Sequence, residues 1–406
     1  MQTPSELPGM TRYPTPSPTP DVKPFVETGT IASTVQKKTV VLATAAITED
    51  NLFMNGLFQN IYVLYRMFES MGYQSYLLVN KKPASLERVP SYMKDLKVFE
   101  LEEIVKSPIP IALYLEIGMS IEGQMRKFFR MCGAKIVKLY LGNILNIDIE
   151  TPMFMPMVHF AHHIIGDLDE IWVSPHYYQH GQYARALNHV SVDKKASVVA
   201  PYVWDSQILT ANGTRTFEWV PPEDLNKQTF LVLEPNISFQ KCSLVPLMIL
   251  ETWFRKHPEW TGEVVVVNGE RLLQIPFFKE VILPSLDLWK KERMKFKGRM
   301  DILSILKNYP SSIPICHQWN NEYNYMVLEY FFTGFPVLHN ADDWSSYGYY
   351  YPNSDFAAAA NLIDRVRGCH VENKEIYKAH AKALLWRHSP YNPDVQQGWA
   401  KCIKEI

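Results

Sequence analysis

The chain has 406 residues, long enough for two domains, and a formal net charge of -1. That balance excludes a protein that grips nucleic acid by neutralising phosphates, and no run of basic residues offsets it. Hydrophobic residues make up 47% and charged residues 20%, the composition of an ordinary globular protein with large cores. The five cysteines (132, 242, 316, 369 and 402) are scattered, odd in number and without metal-ligand spacing, so they read as reduced thiols. No apolar stretch is long enough to span a bilayer and the N-terminus has no apolar signal core. The expectation is a soluble, cytoplasmic protein; contact with a membrane surface stays open.

Residues 1–38 are rich in Pro and Thr, including Pro14-Thr15-Pro16-Ser17-Pro18-Thr19-Pro20, and read as a disordered leader that cannot build a core. Thr39–Ala46 is a continuous apolar run, as expected of a central parallel strand. A loop containing Glu49, Asn55 and Gly56 follows, then a helix over 57–71 ended by Gly72, and a second strand at 76–79. Further strands read at 109–115 (closing on Glu116), 135–141 (closing on Gly142-Asn143) and 170–174, with a short one at 197–200. Strands alternating with helices predict a right-handed, doubly wound α/β sheet over 39–204. Residues 205–227, rich in polar and turn types, read as a linker.

A second alternating half spans 228–385. It has a strand at 229–233, the loop Glu234-Pro235-Asn236-Ile237-Ser238-Phe239-Gln240-Lys241, a helix over 243–256 and a strand at 262–267. A helix over 276–292, the segment Phe296-Lys297-Gly298-Arg299 and a helix over 301–308 follow. The stretch 313–340 is the most informative. An apolar strand ends at His317, a polar knot follows (His317-Gln318-Trp319-Asn320-Asn321-Glu322), and a helix runs over 323–332 until Gly334 and Pro336 stop it. This βαβ arrangement puts the knot at a strand's carboxyl end and a helix's amino end, where free N–H groups and the helix dipole favour anions. Glu329, among Met326, Val327, Leu328, Tyr330 and Phe331, is costly to bury without a partner such as a ribose hydroxyl. The tail reads as helix broken at Ser389-Pro390, with 386–406 returning to the first half.

The second half resembles the nucleotide-sugar domain of GT-B glycosyltransferases, above all the large retaining family four. Glu234 to Lys241 is similar to the loop that ends in a phosphate-contacting lysine, with Asn236 where that family usually has Arg. Phe296-Lys297-Gly298-Arg299 is similar to its strand-loop beside the base. Glu329, five residues before Gly334, is similar to the second Glu of the E-x7-E motif, which binds ribose; the first falls at Asn321, and Glu322 is one place late. Both halves together resemble the group known as domain of unknown function 2827. The matching elements are Asn55-Gly56-Leu57-Phe58-Gln59-Asn60, Leu115-Glu116-Ile117-Gly118, Gly142-Asn143, Pro201-Tyr202-Val203-Trp204, Glu234-Pro235-Asn236, His317-Gln318 and Gly348-Tyr349-Tyr350-Tyr351-Pro352.

The resemblance implies a GT-B fold of two Rossmann-like domains across a cleft, and transfer of a sugar from a nucleoside-diphosphate sugar, UDP- or GDP-linked, to a carbohydrate hydroxyl. It implies no required cofactor and no metal; the net charge of -1 argues against a nucleic-acid partner. Asn55, Gly56, Asn236, Lys241, Gly298, Arg299, His317, Asn321, Glu322, Tyr323, Asn324 and Glu329 are the expected donor contacts. A retaining enzyme needs no general base; an inverting one would draw it from Glu116 or Glu49. His159, His162 and His163 have a helical metal-ligand spacing but no partner to complete a zinc set. The tyrosines at 347–351 could stack a sugar or pack beneath the cleft. The alternatives from other classes are a sugar- or nucleotide-binding protein without transfer, a non-hydrolysing epimerase or phosphorylase, and a viral or phage enzyme glycosylating modified bases in DNA.

Overall fold

Two all-parallel sheets form the molecule, and both are wound in the same order. A computed structural model describes residues 38–406 apart from 45, 49–50, 55, 84, 86, 88, 155–164, 194–198 and 211–216. In the first sheet β1 (Thr39–Ala43), β2 (Gln74–Val79), β3 (Val98–Glu100), β4 (Leu113–Glu116), β5 (Lys135–Tyr140) and β6 (Glu170–Val173) lie in the order β3-β2-β1-β4-β5-β6. In the second, β7 (Thr229–Val232), β8 (Glu263–Val266), β9 (Met294–Phe296) and β10 (Ile313–Pro314) lie in the order β10-β7-β8-β9. A parallel bridge between Ile315 and Leu338 joins this sheet to β11 (Leu338–His339), which pairs with β12 (Tyr349–Tyr350). Counted from its own first strand, the second half therefore repeats the order of the first. The order reverses between β1 and β4 and again between β7 and β10, and crevices for ligands open at such reversals.

The central strands are apolar on both faces because helices cover both. Val40, Val41, Leu42 and Ala43 of β1 are all fully buried, as are Phe230, Leu231 and Val232 of β7. Helix Gly56–Ser70 packs Ile61, Tyr62, Leu64, Met67 and Phe68 into the first core. No helix among the described residues is long and apolar enough to cross a membrane.

Most expected elements occur with ends shifted by a few residues. The exceptions have local causes. The helix expected over 276–292 breaks into a π-helical turn (Phe277–Ile282) and two short pieces (Leu283–Ser285, Asp287–Lys290). Pro284 lacks an N–H and its ring displaces the carbonyl four residues back, so regular α-helix cannot pass through it. The helix expected over 323–332 starts at Tyr325 because the Asn324 side chain caps it by accepting from Met326 N. It ends on Gly334 at φ 75°, a left-handed cap that costs glycine nothing. Helix Phe356–Cys369, capped by Asp355, went unassigned, as did the short edge strand β3. The residues 197–198 of the expected strand lie outside the described residues; Val199 makes one parallel bridge to Val173.

The closing helix Pro393–Lys404 packs into the first half's core through Val395, Trp399 and Cys402. Trp399 meets Phe68 and Trp172 edge-on at 5.5 and 5.6 Å, and its Nε1–H donates to the Pro201 carbonyl at 3.0 Å. β1 and this closing helix thus share one core. Trp399→Ala removes a large buried ring at that junction. It is expected to cost about 3–5 kcal/mol in urea denaturation, with loss concentrated in the first half's signals.

Candidate functional site

The carboxyl ends of both sheets face each other around a cavity of about 650 Å³. The first half contributes Phe53, Gly56, Asn60, Gly142, His176 and Tyr202. The second contributes Lys241 from the loop after β7, Arg271 after β8, Gly298 and Arg299 after β9, and Gln318, Asn321, Tyr323, Asn324, Tyr325 and Glu329 after β10. These are the ends of strands flanking the β7/β10 reversal. Of the expected donor residues, Gly56, Lys241, Gly298, Arg299, Asn321, Tyr323, Asn324 and Glu329 line this one space.

Glu329 sits on helix Tyr325–Thr333 and is only 1% exposed. Burial drives its proton affinity up to about 8, Gln59 opposes the rise, and the charge of Asp301 adds to it. Gln59 Nε2–H donates to its Oε1 at 2.8 Å, and Oε2 accepts no hydrogen bond among the described residues. No cation pairs with it there. A carboxylate kept in such a place is destabilising unless a ligand supplies donors to it.

Lys241 ends the short turn Phe239–Lys241. Burial pushes its ammonium toward the neutral form and the charge of Glu234 pulls it back. Glu234 is itself fully enclosed, raised to about 8 by burial, and accepts from His317 N at 3.1 Å and from Gln318 Nε2. Arg271 and Arg299 are exposed, and neither makes an ion pair or hydrogen bond among the described residues. Lys241, with Glu234 beside it, and the two arginines thus line the cavity along with the acidic side chains of Glu329 and Glu270. The amino end of helix Tyr325–Thr333 opens on the same wall at Asn324.

The halves touch across the cavity. Asn143 Nδ2–H donates to the Asn320 carbonyl at 2.6 Å, and the Tyr177 hydroxyl donates to Asn321 Oδ1. Asn321 in turn donates to Gln318. Gly56 lies directly beneath the Tyr325 ring: a Cβ there would sit 2.3 Å from Tyr325 Cδ1. Glycine at 56 is thus required for close approach of the two halves.

Four expected residues do other work. Glu116 is 0% exposed and held by Arg126 at 2.8 Å and Lys138 at 3.7 Å, so it is a buried ion-pair partner rather than a base facing an acceptor. Asn236, at φ 55°, spends its amide on the loop itself, donating to the Glu234 carbonyl and accepting from Ser243 N. His317 is 1% exposed and pushed down to about 4 by burial. The Tyr351 hydroxyl donates to the Cys316 carbonyl, so its oxygen accepts from His317 Nδ1–H; this supports the loop from beneath. Glu322 turns toward Asp342 and Asp343, which raise its proton affinity beyond the effect of burial. Glu49, Asn55 and the three histidines at 159, 162 and 163 lie outside the described residues. Among the described residues no group of three or more His, Cys, Asp or Glu could hold a metal.

Sequence reasoning gave no role to Gln59, Asn60, His176, Tyr202 or Arg271. Gln59, Asn60 and Tyr202 lie within motifs already singled out. His176, two residues past the end of the strand expected at 170–174, and Arg271, after the strand expected at 262–267, carried only the signal of following a parallel strand.

No curated protein matches the chain. Solved structures match it in fold. OtsA, a trehalose-6-phosphate synthase, has a TM-score of 0.57 at 12% identity, covering 91% of this chain and 99% of its own. The sucrose-phosphate synthase of Thermosynechococcus elongatus has a TM-score of 0.51 at 13% identity, covering 91% and 98%. An alpha-glucosyltransferase in complex with UDP and a 13-mer DNA containing an HMU base has a TM-score of 0.53 at 10% identity, covering 91% and 100%. The fold is that of GT-B glycosyltransferases, two Rossmann-like halves about a cleft. Residues 40–403 match the family described as "Protein of unknown function (DUF2827)", and the chain belongs to that family.

Proposed function

We propose that the protein is a glycosyltransferase that moves a sugar from a nucleoside-diphosphate sugar to a carbohydrate hydroxyl, with retention at the anomeric carbon and without a metal. The observation that carries this reading is Glu329: a buried carboxyl with no cation paired to it, in a cavity also lined by Lys241, Arg271, Arg299, Glu270 and a helix amino end. Glu329 receives the ribose hydroxyls, which supply the donor that its Oε2 lacks. The cations and the positive end of the dipole of helix Tyr325–Thr333 take the diphosphate. As the bond from the anomeric carbon to the diphosphate oxygen breaks, its electron pair passes to that oxygen, where these groups stabilise the growing charge. The acceptor oxygen attacks from the same face and its proton goes to the departing diphosphate. Closure of Gly56 on Tyr325 excludes water from this exchange.

A binding protein of the same fold without transfer is the second reading, favoured by Asn321 where the retaining family-four pattern has a Glu. A DNA acceptor, as in the complex with HMU-containing DNA, fits poorly with a net charge of -1. The test is a thermal-shift screen with UDP-, GDP-, ADP- and dTDP-sugars, followed by assay of nucleoside diphosphate released in the presence of oligosaccharides. The expected result is stabilisation by one nucleotide class and release above the rate without protein. Stabilisation with no release selects the binding protein, and no stabilisation by any of them rejects both readings.

A further inference from the structure

His176 is a cavity-lining group that the roles above leave unused. It follows β6 in the turn Pro175–His180 and reaches the second half: its ring stacks on Tyr323 with centroids 4.6 Å apart and planes 19° apart. Tyr177 lies 3.8 Å away, centroid to centroid, and Tyr202 meets it edge-on at 6.3 Å. These rings fix its plane. Its Nδ1 is wholly enclosed and has no hydrogen-bond partner among the described residues. A buried imidazole nitrogen without a partner is a cost that a bound ligand can offset.

The groups around the ring decide what ligand suits it. Tyr177, Tyr202 and Tyr323 are all held in the neutral phenol form by burial. Burial above all, then the charge of Lys241 and, when they are protonated, of His180 and His388, holds the His176 imidazole neutral in the free protein, well below its ordinary value. His180 and His388 are themselves depressed by burial. An anion entering beside Lys241 works against the depression: it offsets that repulsion and rewards an N–H donor on the facing wall.

We propose that His176 is the first half's own contact to the diphosphate, and that entry of the diphosphate draws one proton from solvent onto its ring. This rests on the reading of the cleft as a nucleotide-sugar site. The balance is simple: a neutral imidazole and a solvent proton become an imidazolium that donates to a phosphate oxygen, and no bond to the sugar changes. Because Lys241 and His176 sit on opposite halves, the diphosphate then ties the halves together.

The sign follows from linkage. The liganded protein holds more protons than the free one, so affinity rises as pH falls through the His176 value of the complex. The experiment is calorimetric titration of the full-length protein with UDP-, ADP- and GDP-glucose between pH 6 and 8.5, in two buffers of different ionisation enthalpy. A diphosphate diester does not titrate in that range, so proton uptake reports on the protein. Glu329 and Glu234 also exchange protons near pH 8, so the His176 share is read as the difference between wild type and His176→Gln. Wild type is expected to take up a substantial fraction of a proton near pH 7 and to bind about tenfold more tightly at pH 6 than at pH 8.5. His176→Gln is expected to lose that uptake and most of the pH dependence, with affinities converging at pH 8.5. A variant that keeps the wild-type uptake and profile overturns the proposal while leaving the cleft reading intact. Binding of none of the donors sinks the cleft reading and this proposal with it. Should the variant fail to fold, long-range 1H–15N spectra of wild-type histidines decide, and an imidazole that stays neutral on saturation overturns the proposal.

Discussion

Glu329→Gln is expected to raise the melting temperature of the ligand-free protein at pH 8 while weakening nucleotide-sugar binding by about 10–100-fold. Both effects come from one carboxylate. With its proton affinity raised to about 8 by burial, the folded protein keeps a proton on Glu329 that the unfolded chain has released above its ordinary value. Folded stability therefore falls as pH rises from about 4.5 to 8, and the deficit is complete above that window. Glutamine carries no such charge. Its amide can also donate to Gln59 Oε1, which has no partner among the described residues. The gain should be absent near pH 4.5 and reach about 1–3 kcal/mol by pH 8, a few degrees for a chain of this size. Half of the pH slope should survive in the variant, because Glu234 is raised to a similar value and is untouched. Binding moves the other way, since hydrogen bonds to a charged acceptor are worth about 1.5–3 kcal/mol, or roughly tenfold to a hundredfold. Differential scanning fluorimetry from pH 4.5 to 9 and calorimetry with the preferred donor check both. A variant that is destabilised at pH 8 and binds normally would make Glu329 a packing residue of the helix.

How much of this could be read before any coordinates depends on range. The strand runs at 39–43, 135–140 and 263–266 announce themselves because a strand buried on both faces is apolar along its length. The loop positions after β7 and β10 were legible too, since a strand end followed by a helix start is a local pattern. That Lys241, Arg299, Asn324 and Glu329 belong to one site was implied by the resemblance to GT-B glycosyltransferases, and the four line one cavity. What escaped is what depends on side-chain direction. His317 and Glu322 stand in the right loop yet point beneath it and away from it, and nothing in their neighbours' identities says so. Glu116 looked like a base because it ends β4, but Arg126 and Lys138, ten and 22 residues further on, claim it. Contacts across the halves, such as Gln59 with Glu329, are separated by 270 residues and leave no periodic trace.

Lys241→Met is expected to lower kcat/KM about 10²–10³-fold, the loss found when one preorganised donor to a developing anion is removed. The variant isolates charge, because methionine keeps most of the side chain's length and fits the enclosed stem. Its stability should hold below pH 7, where Glu234 is protonated in any case given a value near 8. Above pH 8 it should fall, since the ammonium now helps that carboxyl ionise and would no longer do so. The ligand distinguishes this site from Glu329. Lys241→Met should weaken binding of the nucleoside diphosphate and leave binding of the bare nucleoside unchanged, and the lost part should be the part that salt screens in wild type. Glu329→Gln should weaken both ligands alike. If Lys241→Met instead weakened the nucleoside as much as the diphosphate, its role would be to shape the loop after β7, and the phosphates would have to be assigned to Arg271 and Arg299.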